Sequence, residues 1–435
     1  NNEGRKNKTL WCAREAGDKI TLHRSETGEG ECRYIIDTIL KDVTSRKNRY
    51  GDFAVLYRVN EISRHIETAF AKSGLPYRLL GGMRFYDRKE IKDILAYLYL
   101  IHNTGDDERL LRIVNEPKRK IGDKTLETVS EIASEQGLSL FDVMKKADKY
   151  PALEKAAPKL QEFTALIEDL RRQVLLPSRF IPLVMEKTGY LAMLEAGGEK
   201  MKGDIDNLKE LISGAVEYEA RAEEATLSGF LEESALLTDV DKYNEEEDAV
   251  TLMTIHSAKG LEFPIVFIAG AEEGIFPGTQ SLYNPTELAE ERRLAYVAIT
   301  RAKEKLFVTY ASERLLYGMP QHHRLSRFFG QELPKDLVFC EDSFLSRSAF
   351  VPDRPKAPQI SEEFTRRASV AHASPGSKSK TAVFAVGARV RHSVFGDGVV
   401  LSVKSLGGDT LYEVAFDSGS TKKLMASYAK LTLLP

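Results

Sequence analysis

Apolar residues recur at two periods along this chain, and the change of period divides it. From Lys19, strand-length apolar runs (KITLHRS, FAVLYRV, PYRLL) alternate with segments of helical spacing (ECRYIIDTILKDV, EISRHIETAFAKSG, REIKDILAYLYLIHN). Alternation at these lengths predicts βαβ units and a doubly wound parallel sheet, with Gly74 and Pro76 marking a helix end before a strand. After Asn103 only helical periodicity remains, in DERLLRIVNE, KTLETVSEIASEQ, LFDVMKKA, APKLQEFTALIEDLRRQV, PSRFIPLVMEKTG, GDIDNLKELISGAVEYEARA and LSGFLEESALLT. The acidic run YNEEEDA closes this block, and strand patterning resumes at VTLMTI. The economical architecture is one α/β domain split by an all-helical insertion, because loop closure entropy grows only slowly with loop length.

The expected organisation is therefore an α/β domain in two parts, 1–103 and 248–345, around an insertion at 104–247. A stretch rich in Pro, Ser, Lys and Ala without apolar periodicity reads as a flexible linker at 346–382. Beyond it, 383–435 shows short alternating strands divided by GDG, LGGD and DSGS turns, the pattern of a small antiparallel barrel of Tudor or SH3-like type.

The 435 residues, 42% hydrophobic, suffice for conventional cores and exclude a disordered protein. A formal net charge of -3 gives no global basic field, so any nucleic-acid surface must be a local stripe. Cys12, Cys32 and Cys340 show none of the paired spacings of a zinc site or disulfide framework. With no signal-peptide pattern and no run able to span a bilayer, a soluble, cytoplasmic protein without a membrane partner is expected. The opening NNEGRKNKTL reads as a linker, and the phosphate-cradling pattern GxxxxGK[ST] does not occur. A complete P-loop motor is therefore not expected within this stretch.

The chemistry concentrates in VTLMTIHSAKGLEFPIVFIAG (Val250 to Gly270), where two strand-length runs bracket His256, Ser257, Lys259, Gly260 and Glu262. Ligands of open parallel sheets lie beyond the carboxyl ends of the strands, so this polar cluster is expected to face a ligand there. In EERRLAYVAITRAKEK the spacing places Arg301 on a helix stripe with Leu294, Val297 and Ala298, an uncomfortable position for an uninvolved cation. The plain alternative is a snorkelling arginine at a helix C-terminus. His256 has no cysteine or close carboxylate that would make it a nucleophile's base, which disfavours a hydrolase triad. Tyr57, Arg58 and Asn60 stand at another strand exit. GGMRFYDRKEIKD combines a tight-turn Gly pair with acids at a helix start, a structural role at the hinge into the insertion. EPKRKIGDKT, with Lys118, Arg119, Lys120 and Gly122 ahead of a helix, reads by default as a solvated basic loop.

Together, IHSAKGLEFPIVF and EERRLAYVAITRA resemble motifs V and VI of superfamily 1 DNA helicases of the UvrD, Rep and PcrA group, and the tail resembles the C-terminal module of that group. The resemblance implies a RecA-like domain interrupted by a mobile helical subdomain. It implies that Arg301 is the arginine finger reaching the γ-phosphate of ATP, that Glu262 holds the ribose, and that Gly260 lets backbone approach the ligand. ATP and Mg²⁺ would be held mainly by an N-terminal RecA-like half outside this stretch. Arg58, Asn60, Arg64, His256 and Ser257 would contact single-stranded DNA, although the group's usual Gln before Ser63 is Ile62 here. Lys118, Arg119, Lys120 and Gly122 match a Gly-Ile-Gly turn whose amides meet duplex phosphates, with Lys120 replacing the first Gly.

The implied whole is an ATP-dependent 3′ to 5′ helicase that moves on one strand and unwinds duplex in repair or replication. Its partners would be single-stranded and forked DNA, the N-terminal half, and RNA polymerase through the barrel. The stretch alone is expected not to hydrolyse ATP. Two other readings are a non-catalytic DNA or protein adaptor and a helicase-nuclease subunit of the AddA or RecB kind, which would carry a cluster of acids in its tail.

Overall fold

A computed structural model of the protein describes residues 17–173, 175–239, 248–342, 384–392, 395–406, 409–429 and 431–434. The expected linker and most of the acidic run that closes the insertion lie outside the described residues. Eight strands form the main sheet: β1 (Ile20–Thr27), β2 (Phe53–Tyr57), β3 (Tyr77–Leu80), β4 (Val250–Thr254), β5 (Phe263–Ala269), β6 (Ala302–Leu316), β7 (Met319–His322) and β8 (Val338–Asp342). Their order is β3-β4-β2-β5-β6-β1-β8, with β7 hydrogen-bonded to β6. Only the β6–β7 pairing is antiparallel. Strands from before and after the insertion interleave, since β4 lies between β3 and β2. One domain is thus built from two separated stretches.

Both faces of β2 are covered, which is why FAVLY reads as a continuous apolar run. Val55 points into one core with Ile35, Ile39, Ile62, Ile66 and Phe70 of the helices Gly28–Thr44 and Asn60–Ser73. Leu56 points the opposite way, into a core with Met253, Val266, Ile268, Ala295 and Ala298, the last two on the helix Pro285–Ile299. The helical insertion has its own core, from Phe85 through Leu160 and Leu211 to Leu231. The helix Lys89–His102, read as the last element of the α/β alternation, buries Ile94, Tyr97, Leu98 and Ile101 within that helical core. The β6–β7 hairpin, β8 and the short helix Tyr190–Ala196 were not anticipated.

Charge is buried both within the α/β domain and where it meets the insertion, and it is paired in both places. Arg314 on β6 lies between Glu31 and Glu272 at 2.5 and 2.6 Å, with all three side chains no more than 1% exposed. Lys72 and Arg221 converge on Glu233 at 2.6 and 2.8 Å, joining the helix Asn60–Ser73 to two insertion helices. Taking such groups out of water costs several kcal/mol per ion unless each finds its counter-charge.

The C-terminal module is an antiparallel sheet of β9 (Arg389–His392), β10 (Gly396–Leu406), β11 (Asp409–Phe416), β12 (Thr421–Met425) and β13 (Thr432–Leu433), ordered β12-β11-β10-β9-β13. Val390, Val400, Tyr412, Val414, Phe416 and Leu424 fill it, so the expected small barrel is present. It rests on the α/β domain: Met425 and Tyr428 join the core beside the helix Asn60–Ser73, and the Tyr428 hydroxyl donates to Glu29 at 2.9 Å. Lys404 pairs with Glu232 of the insertion helix Leu227–Asp239 at 2.5 Å. Among the described residues no helix is long and apolar enough to cross a membrane.

Candidate functional site

A parallel sheet has a carboxyl end and an amino end, and the polar residues of interest divide between them. At the carboxyl end the exits of β2 and β4 are stapled together, the Ile255 amide donating to the Tyr57 carbonyl at 2.9 Å. Arg58 and His256 follow at once. Arg58 donates through Nε and Nη2 to the Glu291 carboxylate, at 3.0 and 2.5 Å, and Glu291 is only 3% exposed. His256 is exposed, and partial burial together with the Arg58 cation lowers its pKa from the ordinary 6.5, against the opposing pull of Glu291 and Glu290. Asn60 is exposed at the first residue of its helix.

Ser257 shares a 3.0 Å hydroxyl contact with Thr254 and lies tight against Gly81, where a Cβ would come within 2.6 Å of the Ser257 hydroxyl. Gly81 has φ +74°. The Gly pair read as a tight turn therefore also clears space for this polar loop.

Because Arg58 disfavours the protonated ring, Arg58→Ala is expected to raise the His256 pKa back toward 6.5, as measured by NMR titration of the ring. The sign for stability follows from the same shift. The native state binds a proton at His256 less readily than the unfolded chain, so this residue's contribution is intact above pH 6.5 and falls as pH drops below it. An unchanged His256 titration in the Arg58→Ala protein would sink this account.

At the amino end, the helix Pro285–Ile299 stops before Arg301, with Thr300 as its C-cap. Arg301 is thus the residue that enters β6, a correction to the helix-stripe position its spacing suggested, and its carbonyl accepts from the Phe263 amide at 2.9 Å. The side chain folds back and donates to Val297 O (3.0 Å), Leu261 O (2.7 Å) and Thr300 Oγ1 (3.0 Å). All three acceptors are neutral, and no carboxylate among the described residues pairs with it, so a half-buried cation is fixed in place with its charge uncompensated. Glu262, exposed, leaves the adjoining Leu261–Phe263 junction. Gly260 has φ +89° with open space where a Cβ would stand. Beside Glu262 a cleft of about 870 Å³ runs past Arg78, Leu80 and Met83 to the β3 edge.

The expectation that the whole cluster gathers beyond the carboxyl ends is therefore corrected. His256 and Ser257 lie there, whereas Glu262 and Arg301 lie at the amino ends of β5 and β6. The reason is the connection between them. β4 and β5 flank β2 in parallel, and residues 255–262 make the return crossing in turns without a full helix, although such crossovers usually need a dozen residues or more.

Two expected DNA contacts are also corrected. Arg64 is 1% exposed, and its guanidinium is taken by Glu210 (3.2 Å) and Glu217 (2.9 Å) of the insertion helix Lys202–Arg221, leaving no surface for a strand. Arg119 is half-buried and donates to the carbonyls of Ile113, Val114, Pro117 and Thr188 and to the Tyr97 hydroxyl, so it braces its own loop. Lys118 and Lys120 are exposed, and exposed Gly122 caps the helix Asp123–Gln136. Lys120 holds φ +60°, the left-handed region that favours glycine. Lys120→Gly is expected to stabilise the protein by about 0.5–1 kcal/mol in denaturant titrations, and a destabilised variant would show that the lysine side chain contributes more than its backbone strain costs.

Spacing missed Glu291, since nothing links it to Arg58 across 233 positions. Among the described residues no cluster of His, Cys, Asp or Glu could hold a metal, so the residues present do not fit a Mg²⁺ site. They do fit the outer side of a nucleotide: an uncompensated arginine, an exposed acid and an open glycine backbone at one edge.

Comparison with known proteins adds to this geometry. Residues 1–313 match the family described as UvrD-like helicase C-terminal domain, and residues 386–432 match the PcrA/UvrD tudor domain. The chain is 38% identical to the ATP-dependent DNA helicase PcrA of Bacillus subtilis (strain 168) over 441 residues, which cover 99% of this chain and 59% of that protein. It is 37% identical to the protein of the same name from Staphylococcus epidermidis (99% of this chain, 58% of that protein) and 38% identical to that of Staphylococcus aureus (strain Mu50), covering 99% and 59%. The chain thus spans less than two thirds of the length of these relatives.

Proposed function

The chain belongs to the UvrD-like helicases, and from that premise we propose that it supplies the second RecA-like half, the helical insertion and the tudor module of an ATP-dependent DNA helicase. The observation that carries this reading is the division of labour across one sheet. An arginine with no carboxylate partner among the described residues stands beside Glu262 at the amino end, and a cation with an exposed imidazole stands at the carboxyl end.

ATP, gripped mainly by the preceding RecA-like half with its Mg²⁺, supplies the free energy. The residues of this chain do the rest. Arg301 meets the charge that develops on the γ-phosphoryl group, already oriented by Leu261, Val297 and Thr300. Glu262 takes the ribose, and Gly260 allows the backbone close. At the other end Arg58, Asn60, His256 and Ser257 hold strand phosphates, contacts that position without reading sequence. Lys118, Lys120 and Gly122 offer the insertion's contact with duplex phosphates. By the resemblance, movement is 3′ to 5′, the work belongs to repair or replication, and the barrel docks a protein such as RNA polymerase. The domain limits 1–103, 104–247, 248–345, 346–382 and 383–435 belong to the same reading.

The test is ATP turnover by the full-length gene product with and without an oligothymidylate, alongside unwinding of a 3′-tailed duplex. Stimulation by the strand is expected, and the stretch of 435 residues alone should show none. Salt-sensitive DNA binding without turnover, even in the full-length product, would favour the adaptor reading instead. Nothing among the described residues resembles the acid cluster a nuclease needs.

A further inference from the structure

Arg58 is held in an unusual way for a residue that meets a strand. Its guanidinium is a planar fork of five donors, and one edge, Nε with Nη2, is locked onto a carboxylate that is almost wholly buried. The side chain remains 26% exposed, and Nη1 has no acceptor among the described residues. A buried acid costs free energy to desolvate, and among the described residues Glu291 accepts hydrogen bonds from Arg58 alone, with a weaker electrostatic pull on His256, so this acid chiefly serves that arginine.

The helix that carries Glu291 also carries the hold on Arg301. Six residues later on the same rod, about 9 Å along its axis, Val297 accepts from Arg301, as does the C-cap hydroxyl of Thr300. Buried Ala295 and Ala298 seat the rod on the sheet, and Arg292 pins it to Glu332 at 2.9 Å. The two ends of the sheet are thus joined twice, once through residues 255–262 and once through this helix.

We propose that Glu291 is a positioning residue that aims Arg58 at the strand and transmits strand contact along the helix Pro285–Ile299 to Arg301. The inference rests on the helicase reading above. A phosphate that draws on Arg58 draws on Glu291, and Glu291 moves with the segment that anchors Arg301. Nucleotide and strand would then change each other's affinity through this pair, as any coupling between two binding sites must be reciprocal.

The experiment measures the Kd for a fluorescent oligothymidylate across a salt series, with and without a non-hydrolysable ATP analogue. It uses the full-length gene product in wild-type form and as Glu291→Gln, Glu291→Asp, Arg58→Gln and the double variant Arg58→Gln/Glu291→Gln. In the wild type the analogue should change Kd by about tenfold. Glu291→Gln should still bind the strand, with that change cut to about threefold or less and the log–log salt slope steeper by about 0.7, because one more cation is free to displace counterions. Glu291→Asp should restore part of the linkage. The double variant should match Arg58→Gln alone, since a residue acting through another adds nothing once that other is gone.

Full linkage in Glu291→Gln, or additive effects in the double variant, would overturn the proposal, as would a wild type that binds the strand with no response to the analogue. A wild type that binds no strand defeats the helicase reading itself. Melting curves accompany each variant. Should Glu291→Gln fail to fold, Glu291→Asp decides, the proposal surviving only if its linkage is reduced while its melting temperature is not.

Discussion

Arg301→Ala is expected to lower ATP turnover by the full-length gene product about 10³- to 10⁵-fold, the range for arginine fingers in phosphoryl transfer, while strand affinity without nucleotide stays within a few-fold of wild type. The size follows from how the residue is held. Its three acceptors are two carbonyls and a hydroxyl, so among the described residues its charge is spent on no carboxylate and is available to a ligand. The fold should survive the change, because each lost hydrogen bond is worth about 1 kcal/mol and no buried acid is orphaned. Arg301→Lys should recover little, since an ammonium cannot span Leu261, Val297 and Thr300 as the planar fork does. Steady-state kcat with saturating oligothymidylate decides the matter, and a loss of less than tenfold would sink the assigned role.

Arg314→Met is expected to destabilise the protein by about 3–5 kcal/mol, the cost of leaving buried charge unpaired. Arg314 is the cation between Glu31 and Glu272, and both carboxylates also fix backbone. Glu31 accepts from the Gly270 amide at 2.9 Å and the Thr309 hydroxyl at 2.7 Å, and Glu272 accepts from the Ala311 amide at 2.8 Å. Removing the arginine therefore burdens three neighbouring elements at once, the helix Gly28–Thr44, the exit of β5 and the middle of β6. Changing Glu31 and Glu272 to Gln together with Arg314→Met should cost far less, because the amide oxygens still accept from Gly270 and Ala311 and no buried charge is left unpaired. Chemical denaturation of the single and triple variants separates the two cases, and a single-variant loss under about 1 kcal/mol would show that the cluster relaxes or admits water.

Much of the architecture was legible because local pattern and global fold agree. FAVLY and VTLMT read as buried strands and are adjacent in the sheet, and the insertion helices other than Tyr190–Ala196 are close to where their apolar spacing places them. What spacing could not reveal is partnership across long separations. Arg64 is a strand contact only by the resemblance, which groups it with Arg58 and Asn60. Its side chain faces inward, toward Glu210 and Glu217, roughly 150 positions away. Arg119 looked like one more charge in a basic loop, yet five oxygens of its own fold claim it. Lys118, on the same run, is exposed, and charge alone does not separate the two. The fate of Glu262 and Arg301 turned on topology. That Glu262 lies at an amino end follows only from knowing that β4 and β5 are parallel and flank the same strand, and that Arg301 does so from the parallel pairing of β5 with β6.

The short return between β4 and β5 behaves as a strut of fixed length. It must travel back along roughly 17 Å of neighbouring strand, and its hydrogen bonds from Ala258 to Thr254 and from Leu261 to Ala258 use up part of its eight residues in turning. Beyond the kinds of residue at His256, Ser257, Gly260 and Glu262, the number of residues is fixed: one inserted or deleted residue must shift either the imidazole at one tip or the carboxylate at the other. Variation in this stretch across related motors should therefore take the form of substitution, with gaps confined to the hairpins and loops that bear no such span.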